Sequence, residues 1–173
     1  MIQTIGISLA VPQPWDGQLR EARRRAGDLQ ADSVPPHVTL LPPTPCSDVD
    51  REALREYLLA VAARHSAFRM TLCSTGSFRP TSDVVFVALT QGGEECAQIE
   101  ADVRAGPVTR TLQFPYHPHV TIAHDVSARG LDDAMAQLAD FEASFEVVGF
   151  ELYEHGSDGV WRAVDHFEFG PSD

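Results

Sequence analysis

The tetrapeptide Pro-His-Val-Thr occurs twice in this chain, within PPHVTLLPP at Pro35–Pro43 and within YHPHVTIAH at Tyr116–His124. The copies lie 82 residues apart, close to half of the 173 residues. An identical tetrad spaced at half-length points to a duplicated unit, and the arrangement expected of two such copies is a pair of similar halves that face each other.

The segments around the two copies follow one plan. TIGISLAV alternates, with Ile5, Ile7, Leu9 and Val11 on one side, which predicts a strand over 4–11. Leu19, Ala22, Ala26 and Leu29 fall at helical spacing over about 16–29, and Arg23, Arg24 and Arg25 read as part of the solvated face. The first tetrad sits in a second strand. Ser47, with Asp50 three residues on, marks a helix N-terminus, and Leu54, Leu58 and Val61 mark the buried face that follows. Phe68–Phe78 and Asp83–Thr90 read as strands joined by the turn RPTS. The plan then restarts. A helix over about 93–105 turns Cys96, Ile99 and Val103 inward, the strand HPHVTIAH carries the second tetrad, and a helix over about 130–140 turns Leu131, Ala134, Met135 and Leu138 inward. FEASFEVVGFELYEH and GVWRAVDHFEFG read as two long strands joined by the hairpin turn GSDG.

Each half therefore runs strand, helix, strand with PHVT, helix, strand. The expectation is a single α+β domain over 1–173, made of two duplicated lobes of roughly 1–80 and 83–170 that face each other across a cleft. Because the symmetry is internal, a monomer is expected.

Charge and residue usage exclude several function classes. A net charge of −12 argues against tight binding to long nucleic acid, which depends on neutralising phosphates. All 13 basic residues are arginine. Without lysine there is no P-loop, no Schiff-base chemistry and no ligase that charges a lysine with AMP. Cys46, Cys73 and Cys96 are odd in number, scattered, and in no CxxC, so neither a disulfide framework nor a zinc-thiolate site is expected and a reducing cytoplasm fits. The N-terminal segment lacks the basic and small-residue features of a signal peptide, and no apolar run is long enough to span a membrane.

On a strand, side chains alternate. His37 and Thr39 then point one way and Val38 and Leu40 the other, and the same holds for His119 and Thr121 against Val120 and Ile122. With the copies related by a pseudo-two-fold, two histidines and two threonines converge. That set suits displacement at a phosphodiester. One imidazole takes a proton from the attacking hydroxyl, the other protonates the leaving oxygen, and the threonine hydroxyls bind the non-bridging oxygens. No metal or other cofactor is required.

The motifs HVTL at His37–Leu40 and HVTI at His119–Ile122 resemble those of the 2H phosphoesterase superfamily, and most closely its bacterial 2′-5′ RNA ligase-like branch. GSFRP followed by VVFVAL also resembles the region between that family's motifs. The resemblance covers most of the chain. It implies a bilobal α+β fold, two pseudo-two-fold related β-sheet lobes with outer helices and a central cleft. It also implies activity on the 2′,3′-cyclic phosphates or 2′-5′ linkages of nucleotides or RNA ends, without ATP. In the bacterial branch the second motif commonly ends in Ala-Arg. Here it ends Ala123-His124, which lacks arginine's fixed charge and fork and favours hydrolysis of a small cyclic phosphate over ligation.

Other residues carry two readings each. Arg79 is either a phosphate or base contact at the cleft mouth or a solvated turn residue. Tyr116, like Phe114, either stacks on a base or anchors a loop. His117 is a cleft-edge residue and a candidate substrate contact, and His124 a candidate phosphate contact. His65 reads as a structural residue near a helix C-terminus, and His155 and His166 as surface residues. Two alternatives to the metal-independent phosphoesterase reading remain. One is a catalytically silent module that binds a nucleotide or RNA end. The other is a metal-dependent hydrolase built on His117, His119 and His124, although the segment offers no Cys or acidic ligand to complete a zinc site.

Overall fold

In the computed structural model, residues 1–171 are described. The elements run β1 (Ile2–Ala10), α1 (Trp15–Arg25), β2 (His37–Ser47), α2 (Asp48–Ala63), β3 (Phe68–Ser77), β4 (Val84–Gln91), α3 (Gly93–Arg104), β5 (His119–His124), α4 (Ala128–Gln137), β6 (Glu142–Val147), β7 (Gly149–His155) and β8 (Trp161–Glu168). No helix among the described residues is long and apolar enough to cross a membrane.

The strands form one eight-stranded sheet in the order β6-β3-β4-β5-β2-β1-β7-β8, with antiparallel neighbours throughout. Its centre is the β5–β2 junction, which rests on one register pair, Val38 opposite Val120. Outward from that pair the order is symmetric: β5 corresponds to β2, β4 to β1, β3 to β7 and β6 to β8. The sheet is thus two four-stranded halves joined at the strands that carry the tetrads.

The halves of the sheet are not the halves of the chain. β3 comes from the first repeat but pairs with β4 and β6, while β7 comes from the second repeat and pairs with β1. A boundary near residue 80 separates the sequence repeats; in space the repeats exchange their outer strands. The helices also cross over, with α1 packed on β5 and α4, and α3 packed on β2.

Local chemistry explains most element ends. Ser47 caps α2, its hydroxyl accepting from the Asp50 N–H at 3.2 Å, and Ser127 caps α4 through the Gly130 N–H at 3.0 Å. The first helix ends earlier than its spacing predicts. Gly27 takes φ +89° just beyond α1, and Leu29, expected on the buried face, is 97% exposed. The long strand expected over FEASFEVVGFELYEH is broken at Val148. β6 stays with β3, and β7 moves to the other half-sheet beside β1 and β8. Gly149 is needed at this crossing because a Cβ there would lie 2.3 Å from the Phe167 carbonyl oxygen.

The core is continuous across both halves. Val38, Leu40, Val120 and Ile122 are all within 2% of full burial, beside Ile5, Ile7, Val85 and Val87 from the flanking strands. Leu19 of α1, Leu54 and Leu58 of α2, Ile99 and Val103 of α3 and Leu131 of α4 complete it.

Candidate active site

Burial of the apolar positions fixes where the polar ones point. Along β2 and β5, His37, Thr39, His119 and Thr121 are partly exposed, while Val38, Leu40, Val120 and Ile122 between them are buried. The antiparallel sense about Val38 and Val120 puts His37 on the Thr121 side and Thr39 on the His119 side. Each histidine thus neighbours the threonine of the other motif.

The two imidazoles are held alike. His37 Nδ1 lies 2.7 Å from the Pro35 carbonyl oxygen, and His119 Nδ1 lies 2.6 Å from the His117 carbonyl oxygen. A carbonyl only accepts, so Nδ1 carries the hydrogen and the neutral ring keeps its lone pair on Nε2. In both cases the carbonyl belongs to the residue two before the histidine, with a proline between. Proline restricts its own φ and drives the preceding residue to extended backbone. The proline of the repeated tetrad therefore sets the carbonyl that orients the ring.

Both histidines have their pKa lowered. For His37 the main cause is burial, reinforced by the positive charges of Arg23 and His119 and opposed by the bond to Pro35. For His119 burial again leads, reinforced by His117 and opposed by the backbone bond to His117. The His119 ring meets Phe78 edge-on at 4.9 Å and Phe86 at 5.4 Å. Gly76 allows this wall, since a Cβ there would meet the Phe86 ring at 2.7 Å.

Two cavities flank Thr39. The smaller, about 310 Å³, is lined by Ser8, Arg23, His37, Thr39, Thr121, His124 and Trp161. The larger, about 730 Å³, is lined by Thr39, Phe78, Arg110, Phe114, Tyr116, His117 and His119. The two motifs therefore border one divided cleft, with His37 in one compartment and His119 in the other.

The remaining sequence candidates scatter around this cleft. Tyr116 borders the larger compartment, but its hydroxyl donates to the Thr39 carbonyl oxygen at 2.7 Å, and burial raises its pKa. His117 lies in the same compartment, edge-on to Phe78 at 5.3 Å. His124 borders the smaller compartment, so His117, His119 and His124 do not share one. Among the described residues no three His, Cys, Asp or Glu side chains are grouped as metal ligands would be. Arg79 is not among the residues lining either compartment. Its Nη1 donates to Asp132 on α4 at 3.0 Å and its Nε to the Ser77 hydroxyl at 3.3 Å.

The residue that sequence reading misplaced is Arg23. Expected on a solvated face with Arg24 and Arg25, its side chain is 7% exposed and borders the His37 compartment. Its Nε donates to Asp28 Oδ2 at 2.7 Å, and the Asp28 side chain is 3% exposed. The same oxygen accepts the His124 backbone N–H at 3.1 Å, and Oδ1 accepts the Gln30 N–H at 2.9 Å. A signal was present, because Leu19, Ala22, Arg23 and Ala26 follow the i, i+3, i+4, i+7 spacing of the buried stripe. Trp161 and Arg110 had no comparable signal. They reach the cleft through the β7–β8 hairpin and the segment before β5.

Comparison with known proteins agrees with this architecture. A family model described as the 2′-5′ RNA ligase superfamily matches residues 11–159. A Bacillus thuringiensis (strain Al Hakam) protein that carries the name phosphoesterase is 25% identical over 139 residues, covering 79% of this chain and 80% of its own. A Bacillus cereus (strain B4264) protein of the same name matches to the same extent. Among solved structures, E. coli LigT complexed with 3′-AMP aligns with a TM-score of 0.68 at 20% identity, over 98% of this chain and 99% of that one. The Thermus thermophilus protein TT0787 aligns with a TM-score of 0.65 at 21% identity, over 98% and 100%. With a family match over most of its length and the same fold as LigT, the chain belongs to the 2′-5′ RNA ligase superfamily and is a phosphoesterase of the 2H kind.

Proposed function

We propose that the protein hydrolyses 2′,3′-cyclic phosphates, or 2′-5′ phosphodiester linkages, of nucleotides or RNA ends, with His37 and His119 as the acid–base pair and Thr39 and Thr121 binding the phosphate. One observation carries the reading. Two imidazoles from equivalent strands are oriented by equivalent backbone bonds, leaving both Nε2 atoms for chemistry at one divided cleft.

The step follows from that arrangement. The neutral imidazole takes a proton from water through Nε2 as the water oxygen attacks phosphorus. The bond from phosphorus to a ribose oxygen breaks, and the protonated imidazole donates its Nε2 proton to that oxygen. The two rings end in exchanged protonation states and reset through solvent. Hydroxyl donors from Thr39 and Thr121 stabilise charge on the non-bridging oxygens. Both proton transfers come from side chains of this chain, so the step as written calls on no metal.

The larger compartment supports a nucleoside substrate. It has ligand-site volume, the aromatic walls Phe78 and Phe114, and Arg110 at its edge. E. coli LigT has been crystallised with 3′-AMP and with ATP, which is consistent with nucleotide recognition in this fold.

The test is hydrolysis of a panel of 2′,3′-cyclic nucleotides and a 2′-5′ dinucleotide, with EDTA present, by wild type, His37→Ala and His119→Ala. Turnover is expected in the wild type, with a bell-shaped pH profile, and loss in each variant. Undiminished turnover in both variants refutes the assignment. Binding without product in the wild type replaces hydrolysis by a binding role, and activity that EDTA abolishes points to metal chemistry.

A further inference from the structure

Arg23 is an unusual arginine for this chain. Arg24 and Arg25 beside it are exposed and paired with Glu21 and Asp32. Arg23 instead turns inward from the last turn of α1, with its side chain 7% exposed. Among the described residues only its Nε meets a protein acceptor, Asp28 Oδ2. Yet no buried side-chain nitrogen or oxygen among the described residues lacks a partner. The two Nη groups are therefore not sealed off from solvent, and Arg23 lines the compartment bounded by His37, Thr39, Thr121 and His124.

A guanidinium held by Nε in a residue that lines a cavity keeps the donors of both Nη groups and a permanent charge. That is the donor set for two oxygens of one phosphate. The charge also acts on His37, whose protonation it opposes. Asp28 has the features of an orienting group. It is 3% exposed, and it bonds Arg23 with the same oxygen that takes the His124 N–H, which ties the guanidinium to the end of β5. Stability alone does not account for such a pair, because buried ion pairs are commonly no better than apolar replacements.

We propose that Arg23 is the anion anchor of this cleft, binding the non-bridging oxygens of a substrate phosphate through Nη1 and Nη2, with Asp28 as its positioning residue. This rests on the phosphodiester reading of the His/Thr cleft. It adds a charged binding residue from outside both motifs. It also explains how a chain of net charge −12 holds a phosphate where β5 ends in His124.

The test uses inorganic phosphate as probe, titrated into the full-length protein while the imidazole signals of His37 are followed by NMR. Kinetics on a 2′,3′-cyclic nucleotide run alongside. Asp28 is left uncompensated when Arg23 alone is neutralised, so the variants are Arg23→Gln with Asp28→Asn, and Arg23→Lys, which keeps the charge but loses the fork. Arg24→Gln is the control.

The double variant is expected to bind phosphate about tenfold to a hundredfold more weakly, the value of one charge-assisted contact, with a matching fall in kcat/KM. The lysine variant is expected to fall between it and wild type, and the control to match wild type. Partial rescue of phosphate affinity by the lysine variant, which keeps the charge, is a readout that a purely structural role would not produce. Phosphate binding and kcat/KM at wild-type levels in the lysine and double variants overturn the proposal, as does a wild type that binds no phosphate. A wild type that binds phosphate through Arg23 but turns over no cyclic nucleotide leaves the anchor standing and removes the hydrolytic reading.

Discussion

Replacing Asp28 by alanine is the most demanding perturbation of this structure. The carboxylate is 3% exposed and accepts three hydrogen bonds, from Arg23 Nε at 2.7 Å, the His124 N–H at 3.1 Å and the Gln30 N–H at 2.9 Å. Its removal leaves a guanidinium with 7% of its side chain exposed and no counter-charge. It also frees two backbone donors that fasten the 27–34 loop and the end of β5. Breaking a buried pair by deleting one partner costs about 3–5 kcal/mol. That is a large share of a total stability of about 5–15 kcal/mol. With a urea m-value of about 2 kcal/mol/M, the unfolding midpoint should fall by about 1.5–2.5 M at unchanged m. Asp28→Asn keeps the shape and one acceptor and should lose less. Arg23→Gln combined with Asp28→Asn removes both charges and should be more stable than the two single losses summed, by a coupling of about 1–3 kcal/mol. Urea melts of wild type, Asp28→Ala, Asp28→Asn, Arg23→Gln and the double variant, followed by far-UV circular dichroism, measure all of this. A loss below about 1 kcal/mol for Asp28→Ala, or strict additivity in the cycle, would refute the reading of a buried, mutually dependent pair.

Two further outcomes are expected. Removing the hydroxyl in Tyr116→Phe strands the Thr39 carbonyl, so stability should drop by about 1–2 kcal/mol while KM for a cyclic nucleotide holds; a KM rise at unchanged stability would instead place the phenol on the substrate. The folded-state pKa of His37 and of His119 lies below the unfolded value of about 6.5. The unfolded chain therefore binds more protons over the interval between the two values, and stability should be full above about pH 6.5 and fall as pH drops below it. Urea melts from pH 7.5 to 5 check this, and a slope that is unaltered when both histidines become asparagine would sink it.

Much of the architecture was legible because it rests on local periodicity. Val38, Leu40, Val120 and Ile122 are buried because a period of two leaves one face for the core, and the Ser47 cap follows from a hydroxyl placed before a helix. What escaped depends on contacts far apart in the chain. Nothing in FEASFEVVGFELYEH says that its first part pairs with β3 and its second with β1; a continuous apolar pattern suits both sheets equally, and only the close approach of Gly149 to Phe167 marks the crossing. Leu29 completed a helical stripe on paper, but the positive φ of Gly27 ends the helix before reaching it. Arg23 was masked by its neighbours, since three consecutive arginines look solvated unless the stripe position is weighed above the charge.

The exchange of outer strands bears on the site itself. Duplication makes the two tetrads equivalent, and equivalent histidines would have equivalent proton affinities. The proposed displacement at phosphorus has a direction, however, and needs one neutral and one protonated ring at the same moment. The difference has to come from the surroundings, and those are where the two repeats diverge. Beside His37 stand the Arg23–Asp28 pair and Trp161 from the β7–β8 hairpin; beside His119 stand Phe78, Phe86 and His117. Each set includes groups carried by strands that crossed from the other repeat, Trp161 on β8 in one case and Phe78, just past β3, in the other. A simple side-by-side duplication would surround each tetrad only with its own repeat. The swap lets one symmetric frame hold two different environments, a charged one and an aromatic one, about a shared Thr39.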